Sequence, residues 1–582
     1  MKVNFDFIVI GGGLSGLCAA IAASRKGIKT ALIQDRPVLG GNASSEIRMH
    51  ICGADNHGNR KNARETGIIE EIQLENINCN RQKSYSIFDT VLWEKARFQE
   101  NLSLFLNTRV QFVEKSHDKI IYVTGYQSTT EKEISFYANT FADCTGDGFI
   151  AYKAGCEIMY GREDKLTFNE PHAPAKADTH TMGNTLLFTT KDVGYPIEFK
   201  KPKFAKHYTE EDLYGRLHGN EYFNYWWIEL GGKDENVITD GEYLRDELLK
   251  SIYGVWDHIK NSGDHDAKNH ALDWIGFLPG KRESRRVIGD YILNENDLSS
   301  GKIFDDAIAY GGWPMDMHII GGLTNSLEPT EYINMDNLYT IPYRAIYSKD
   351  ISNLFIGGRN ISASHMAFGS TRVIATCAVI GEAIGKSAYF CHSKSISPKD
   401  VLPIIKELQQ ELVDDDIFIP GFINNNSKDI AKEATIKASS ELKTCPCINV
   451  VNGLSRNTNR INMWSSEEMT NKNEWIEFNF NQKKVGCIKI KFDSNLSKEL
   501  MLTLYGERGK IPLSMPEELV KDYLVLIYYK NNLVKEIKIA DNYLRYNNIN
   551  THNLLCDKIR LEFKNTHGLK NIHLFEVNIL SQ

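Results

Sequence analysis

Four apolar residues in a row, Phe7 to Ile10, run directly into the turn Gly11-Gly12-Gly13-Leu14-Ser15-Gly16. An apolar run this short, bounded by a turn, reads as a strand buried on both faces. An alanine-rich stretch with helical spacing follows to Lys26 and is broken by Gly27, and a second short apolar run ends at Ile33. The pattern therefore predicts strand, turn, helix, strand. Asp89 to Glu100 has helical spacing, Leu102 to Phe141 reads as several short strands with polar turns, and Phe149 to Ala154 as a short helix. From about Gly161 to Ile333 clean periodicity disappears, and Tyr, Trp, His and Gly become frequent. Such texture suits an inserted substrate-binding region better than a repeat. The first style returns near Tyr339. Asn353 to Arg359 reads as a buried strand ending in glycines, and Thr371 to Ala388 as an apolar helix containing Gly381 and Gly385. Lys394 to Asp429 reads as a helix and polar linker, with Asn424-Asn425-Asn426 at the boundary. Beyond Ile430, runs such as Glu474 to Phe480, Cys487 to Phe492 and Lys558 to Phe563 alternate apolar and polar residues, which predicts a separate β-sandwich.

The first unit has the form that holds a dinucleotide. Gly11 allows the tight turn, Gly13 lets the backbone approach a pyrophosphate, and Gly16 allows close helix–strand packing. The free N–H groups of the helix start, Ser15 among its first residues, face the phosphates with the positive end of the helix dipole. The acid that should end the second strand and bind a ribose is replaced by Gln34, followed by Asp35. Gln34 can accept from a ribose hydroxyl without charge; Asp35 takes the role if the strand end is shifted by one residue.

The chain has 582 residues, room for two to four domains, with 42% hydrophobic and 25% charged residues. A net charge of −7 gives no support for nucleic acid or an anionic membrane as partner. No apolar run suggests a membrane span. The early nucleotide motif leaves no room for a cleaved signal peptide, and eleven cysteines without framework spacing fit a reducing compartment, so a cytoplasmic location is expected.

The series Gly11–Gly16, Gly40-Gly41-Asn42-Ala43-Ser44, Asp143–Gly148, Gly357-Gly358-Arg359 and Ser364–Arg372 resembles the FAD-dependent oxidoreductases of the glutathione-reductase-type superfamily, and within it the bacterial family related to succinate dehydrogenase and fumarate reductase flavoproteins. The resemblance covers about residues 1–395. Ala434 to Ser440, Asn452-Gly453 and Trp475 to Phe478 resemble a discoidin (F5/8 type C) or galactose-binding-like jelly roll. Together these imply an α/β Rossmann-like FAD-binding domain (1–160 and 334–395), an inserted α+β substrate domain (161–333), a helix and linker (396–429), and a C-terminal all-β jelly-roll sandwich (430–582). FAD lies extended and needs contacts from distant segments. The resemblance implies Gly11, Gly13, Ser15, Gly16, Gln34, Asp35, Gly41, Asn42, Ser44, Thr145, Gly146, Asp147, Gly358, Arg359 and Arg372 as its binding residues. A helix starting near Thr371 would aim its N-terminus at the flavin.

Oxidation of a C–H/O–H centre by flavin needs a base for the hydroxyl proton, and histidine is the natural base near neutral pH. The loop Gly311 to His318 offers His318 as base, with Asp316 to fix its tautomer. His365 either acts in catalysis or hydrogen-bonds the flavin. In Lys281-Arg282-Glu283-Ser284-Arg285-Arg286, Arg282 either holds an anionic or hydroxyl-rich substrate or belongs to an ion-pair cluster with Glu283 and Asp290. Tyr222, Tyr225, Trp226 and Trp227 form either a sugar-stacking wall or core. His180, His258, His265 and His270 read as surface or structural residues. There is no HExxH, no paired CxxC and no Ser-His-Asp order, so no metal site is expected. The substrate is expected to be a small, sugar-derived or polyol molecule, with a hydroxy or unsaturated acid, or a non-redox binding role, as alternatives. No second dinucleotide motif is seen, which leaves the electron acceptor open among quinone, protein carrier and oxygen.

Overall fold

The computed structural model describes residues 1–220, 225–470, 472–504 and 509–581; Tyr222 thus lies outside the described residues. The chain forms two compact units. The first comprises Met1–Gly53, Gln82–Ile405 and Met501–Pro512, the second Ala54–Arg81, Lys406–Leu500 and Leu513–Gln582.

The first unit is organised by a five-stranded, all-parallel sheet in the order Leu354–Ile356, Thr140–Asp143, Phe7–Ile10, Thr30–Ile33, Leu102–Phe105. Phe7–Ile10 lies at its centre and is buried throughout, which is why it is apolar without alternation. Helix Leu14–Arg25 packs along helix Ile374–Lys394. Gly381 and Gly385 make that approach possible, because a Cβ on either would overlap the Ser15 or Ala19 carbonyl oxygen. The predicted helix from Thr371 is in fact two. His365–Thr371 is capped by Ser364, whose Oγ accepts from Ala367 N at 3.2 Å, and Ile374–Lys394 starts after Arg372 and Val373. Contrary to expectation, Ile374–Lys394 is long and apolar enough to cross a membrane; 89% of its most apolar window is nevertheless buried in the protein, as befits a core helix. A second sheet pairs Thr108–Ser116, Lys119–Gln127 and Lys132–Tyr137 as an antiparallel meander, with Lys2–Asn4 added parallel.

The middle region is built of short antiparallel pairs and one long helix, Gly241–Asn261. Leu244, Leu248, Ile252, Val255, Trp256 and Ile259 form that helix's apolar stripe and share a core with Phe188, Tyr225 and Trp227. The Tyr225 ring stacks on Phe188 with centroids 4.0 Å apart. Tyr225 and Trp227 are thus core, while Trp226 is only half-buried. Trp226 packs against the same core.

The second unit is an antiparallel seven-stranded sheet around one apolar core. Glu474–Phe492 and Tyr546–Thr566 are single long strands where the pattern predicted shorter ones. Register shifts at Asn479/Lys483 and Val485/Cys487 reset the alternation inside one strand, so its periodicity reads as broken. Helix Ile68–Cys79 joins this unit and contributes Leu74 and Ile77 to its core. Its Glu70 meets Arg64 at 2.5 Å and Arg545 at 3.6 Å, and Arg545 meets Asp416 at 2.8 Å, all buried. Asn424 is also buried here and donates to Glu576 Oε1 at 2.7 Å, so it is an internal residue of the unit rather than an exposed linker.

Candidate active site

Three glycine loops meet at the carboxyl ends of the parallel strands. Gly11 has φ +105°, and a Cβ there would overlap the Cys144 carbonyl; a Cβ on Gly16 would overlap the Gly11 carbonyl oxygen. Gly13 differs from both. Its φ is −61° at the N-cap of Leu14–Arg25, and a Cβ there meets nothing within 4 Å. Its backbone faces open space, as close approach of a pyrophosphate requires, and backbone strain plays no part at this residue. Gly40 lies across the turn, its N–H donating to the Gly12 carbonyl at 2.8 Å, and Gly41 packs on Gly13. Gly357 and Gly358 pack on Ser15. Beside them Asn360 Oδ1 is buried with no hydrogen-bond partner among the described residues. An open helix start ringed by glycines, with an unsatisfied buried acceptor, fits a bound dinucleotide.

Other residues implied for the cofactor sit less simply. Gln34 Oε1 accepts from Gly12 N at 2.8 Å, and its Nε2 donates to the Val38 carbonyl at 3.2 Å. It therefore braces the turn. Asp35 is exposed at the strand end. Ser44 is buried, its N–H donating to the Gly41 carbonyl. Thr145 caps its own turn through Asp143. A Cβ on Gly146 would strike the Arg359 guanidinium, which pairs with Asp147 at 2.8 Å. Burial alone would raise the Asp147 pKa; Arg359 and Lys281 outweigh it and hold the carboxyl well below the usual range. Arg372 is directed away from the glycine loops, to Asp316.

The segment 281–286 links the loops to the middle region. Asn42 Nδ2 donates to the Lys281 carbonyl at 3.1 Å, Lys281 pairs with Asp147, and Ser284 Oγ donates to Asp147 at 2.8 Å. The other charges point elsewhere. Arg282 meets Glu229 at 3.2 Å, Glu283 meets His365, and Arg286 meets Glu163 at 3.0 Å. The ion-pair reading of this segment therefore holds for Glu283, which also lies 3.9 Å from Arg286, with Glu229 and Glu163 as further partners. Asp290 is not among them, since it binds Tyr347 and Lys399, each at 2.8 Å.

Two buried histidines result. His318, on strand Met315–His318, lies 2.7 Å through Nδ1 from Glu229 Oε2 and 3.4 Å through Nε2 from Asp316 Oδ2. Asp316 also meets Arg372 at 3.2 Å and accepts from Thr330 Oγ1 at 2.6 Å. The Trp226 ring stands edge-on to His318, centroids 5.2 Å apart, and the Trp226 carbonyl accepts from Arg282 at 2.6 Å. The row Arg282–Glu229–His318–Asp316–Arg372 thus alternates basic and acidic side chains. Burial works to raise Glu229 and Asp316; the cations and His318 outweigh it and hold both carboxyls below their ordinary range. Glu229, at the centre of this row, carries no sequence signal, since it sits in a two-residue strand of the aperiodic region.

His365 is the first residue of helix His365–Thr371. Its Nδ1 meets Glu283 Oε1 at 2.9 Å, and Glu283 Oε2 accepts from Met182 N at 3.0 Å. Burial raises Glu283, and His365 with Arg286 brings it below the usual carboxylate range. No hydrogen bond among the described residues engages His365 Nε2. The side chain is 4% exposed.

The model of the family described as "FAD dependent oxidoreductase" matches residues 6–412. The chain belongs to that family: it is an FAD-dependent oxidoreductase, and FAD is its cofactor. Over 40 residues, 7% of this chain, it is 55% identical to digeranylgeranylglycerophospholipid reductase of Picrophilus torridus, and the match spans 10% of that relative's length. Solved structures similar to part of the chain include a Streptococcus pneumoniae fucose binding module (16% identity, 27% of this chain and 99% of that one, TM-score 0.22). Another is the family 32 CBM of C. perfringens NanJ in complex with galactose (17% identity, 26% and 97%, TM-score 0.19).

Proposed function

We propose that this enzyme oxidises a neutral hydroxyl-bearing small molecule, carbohydrate or polyol-like, with His365 as the base. The observation that carries the reading is the His365–Glu283 pair. A carboxylate on Nδ1 fixes the ring and its tautomer, leaving Nε2 as the proton acceptor. FAD, when bound, supplies the two-electron acceptor for the hydrogen leaving the substrate carbon. As the carbonyl forms, the hydroxyl proton passes to His365 Nε2. The buried Glu283 charge then stabilises the imidazolium. Arg282 and Arg372 are already neutralised by Glu229 and Asp316, which favours a neutral substrate over a hydroxy or unsaturated acid. The discoidin-like run Ala434–Ser440 in the second unit supports a sugar-derived ligand there and a jelly-roll reading of that unit.

Anaerobic titration of the purified full chain with sugars, glycosides, polyols and hydroxy acids tests this directly. Bleaching of the visible flavin band by a neutral hydroxyl compound is the expected result. Bleaching by carboxylic acids alone would overturn the substrate class. A flavin reduced by dithionite but by none of these compounds would favour a binding role.

A further inference from the structure

Away from the glycine loops, three histidines and one glutamate of the middle region aim at one point. Glu210 and His218 lie on the segment 207–220, His258 in the last turn of helix Gly241–Asn261, and His265 just beyond it. Glu210 Oε1 is 3.3 Å from His218 Nε2, 3.1 Å from His258 Nε2 and 3.0 Å from His265 Nε2. His258 Nε2 and His265 Nε2 are 3.2 Å apart. The imidazoles are mostly buried, at 7%, 7% and 13% exposure for His218, His258 and His265, while Glu210 reaches in from the surface.

Three imidazole nitrogens gathered on one carboxylate oxygen are also the arrangement that a shared cation makes. A neutral imidazole has one N–H. The His218 Nδ1 sits 2.6 Å from the Arg216 carbonyl, which can only accept, so the proton is there. His218 Nε2 faces a carboxylate oxygen that two further Nε2 atoms also crowd. A cation between them would take one ligand atom from each of the four side chains. The spacing suits one: ligand atoms about 2.0–2.1 Å from a tetrahedral metal stand about 3.3 Å from one another. The Arg216 carbonyl is also the type of outer partner that orients a ligating histidine.

We propose that Glu210, His218, His258 and His265 bind one divalent first-row transition metal, zinc by preference. Four protein ligands complete a tetrahedron and leave no open position, so the ion is structural. It ties the segment 207–220 to the end of helix Gly241–Asn261. Trp227 Nε1 donates to the Leu217 carbonyl at 2.8 Å, so the ion steadies the chain next to Trp226 and the His318 row.

The test uses untagged full-length protein, since a histidine tag would bind metal itself. Elemental analysis should find about one equivalent of transition metal per chain. After chelation, Zn2+ added alone should rebind with that stoichiometry and raise the melting temperature. The double variant His258→Ala/His265→Ala should keep its flavin and bind none. Should that variant fail to fold, the largely exposed Glu210→Gln replaces it and should weaken Zn2+ binding by roughly 10–100-fold or more. Wild-type protein that neither carries nor takes up Zn2+, Mn2+, Fe2+ or Ni2+ stoichiometrically overturns the proposal. So does a variant that binds as well as the wild type.

Discussion

His365 and His318 are built alike on one side and differently on the other. Each is buried, and each has Nδ1 against a buried carboxylate, at 2.9 Å for His365 and 2.7 Å for His318. At the second nitrogen they part. His318 Nε2 faces Asp316, whereas no hydrogen bond among the described residues engages His365 Nε2. A ring between two carboxylates, themselves paired with Arg282 and Arg372, is a bridge in a charge row. A ring with one carboxylate on Nδ1 and no hydrogen bond at Nε2 has the arrangement that the proposed base requires. What separates the two is the count of acids around the ring, a property of the fold and not of the histidine.

Replacing the two rings separately tests the comparison most severely. His365→Ala should slow substrate-dependent flavin reduction by about 10²–10⁴-fold, the range of a lost general base, with flavin content unchanged. Stopped-flow anaerobic reduction measures it, and an unchanged rate would remove His365 from the chemistry. Glu229→Ala should act on stability instead. It leaves the Arg282 guanidinium buried without its acid and should cost about 3–5 kcal/mol in denaturant unfolding. A variant as stable as the wild type would mean that the charge row contributes little.

His318→Gln keeps a polar group between the two carboxylates and should change flavin reduction by less than about tenfold. If its effect exceeds that of His365→Ala, the two roles are exchanged. The smallest effect concerns acid. Glu229, Asp316 and Glu283 have folded pKa values below their unfolded ones, so they bind fewer protons when folded. Their stabilisation is complete above the ordinary glutamate value of 4.5 and is lost as the pH falls below it through the folded values. Thermal melts from neutrality to about pH 3 should show that loss, and Glu229→Gln should flatten it.

Much of the first unit was legible because its signals are local. Phe7 to Ile10, the Gly11–Gly16 turn and Phe149 to Ala154 each carry their periodicity within a few residues. The glycines of helix Ile374–Lys394 were visible as interruptions, and their cause, contact with the Ser15 and Ala19 carbonyls, was not. His318, Arg282, Asp316 and His365 stood out by residue type. Glu229, which joins His318 to Arg282, is brought there from a strand pair that no periodicity announces. The four converging side chains at Glu210 follow no motif spacing, since three segments supply them. Membership of helix Ile68–Cys79 in the second unit was equally hidden: an apolar stripe states that a helix is covered, not by what.

That last helix has a consequence for how the protein is made. Leu74 and Ile77 leave the ribosome early, while the strands that cover them, ending with His573–Ser581, come roughly 500 residues later. At about 5–20 residues per second the interval is on the order of 25–100 s. Throughout it the helix has neither its apolar cover nor Arg545 for Glu70. A chaperone that holds apolar helices has its natural window there, and a stop codon anywhere before the last strands would make the exposure permanent.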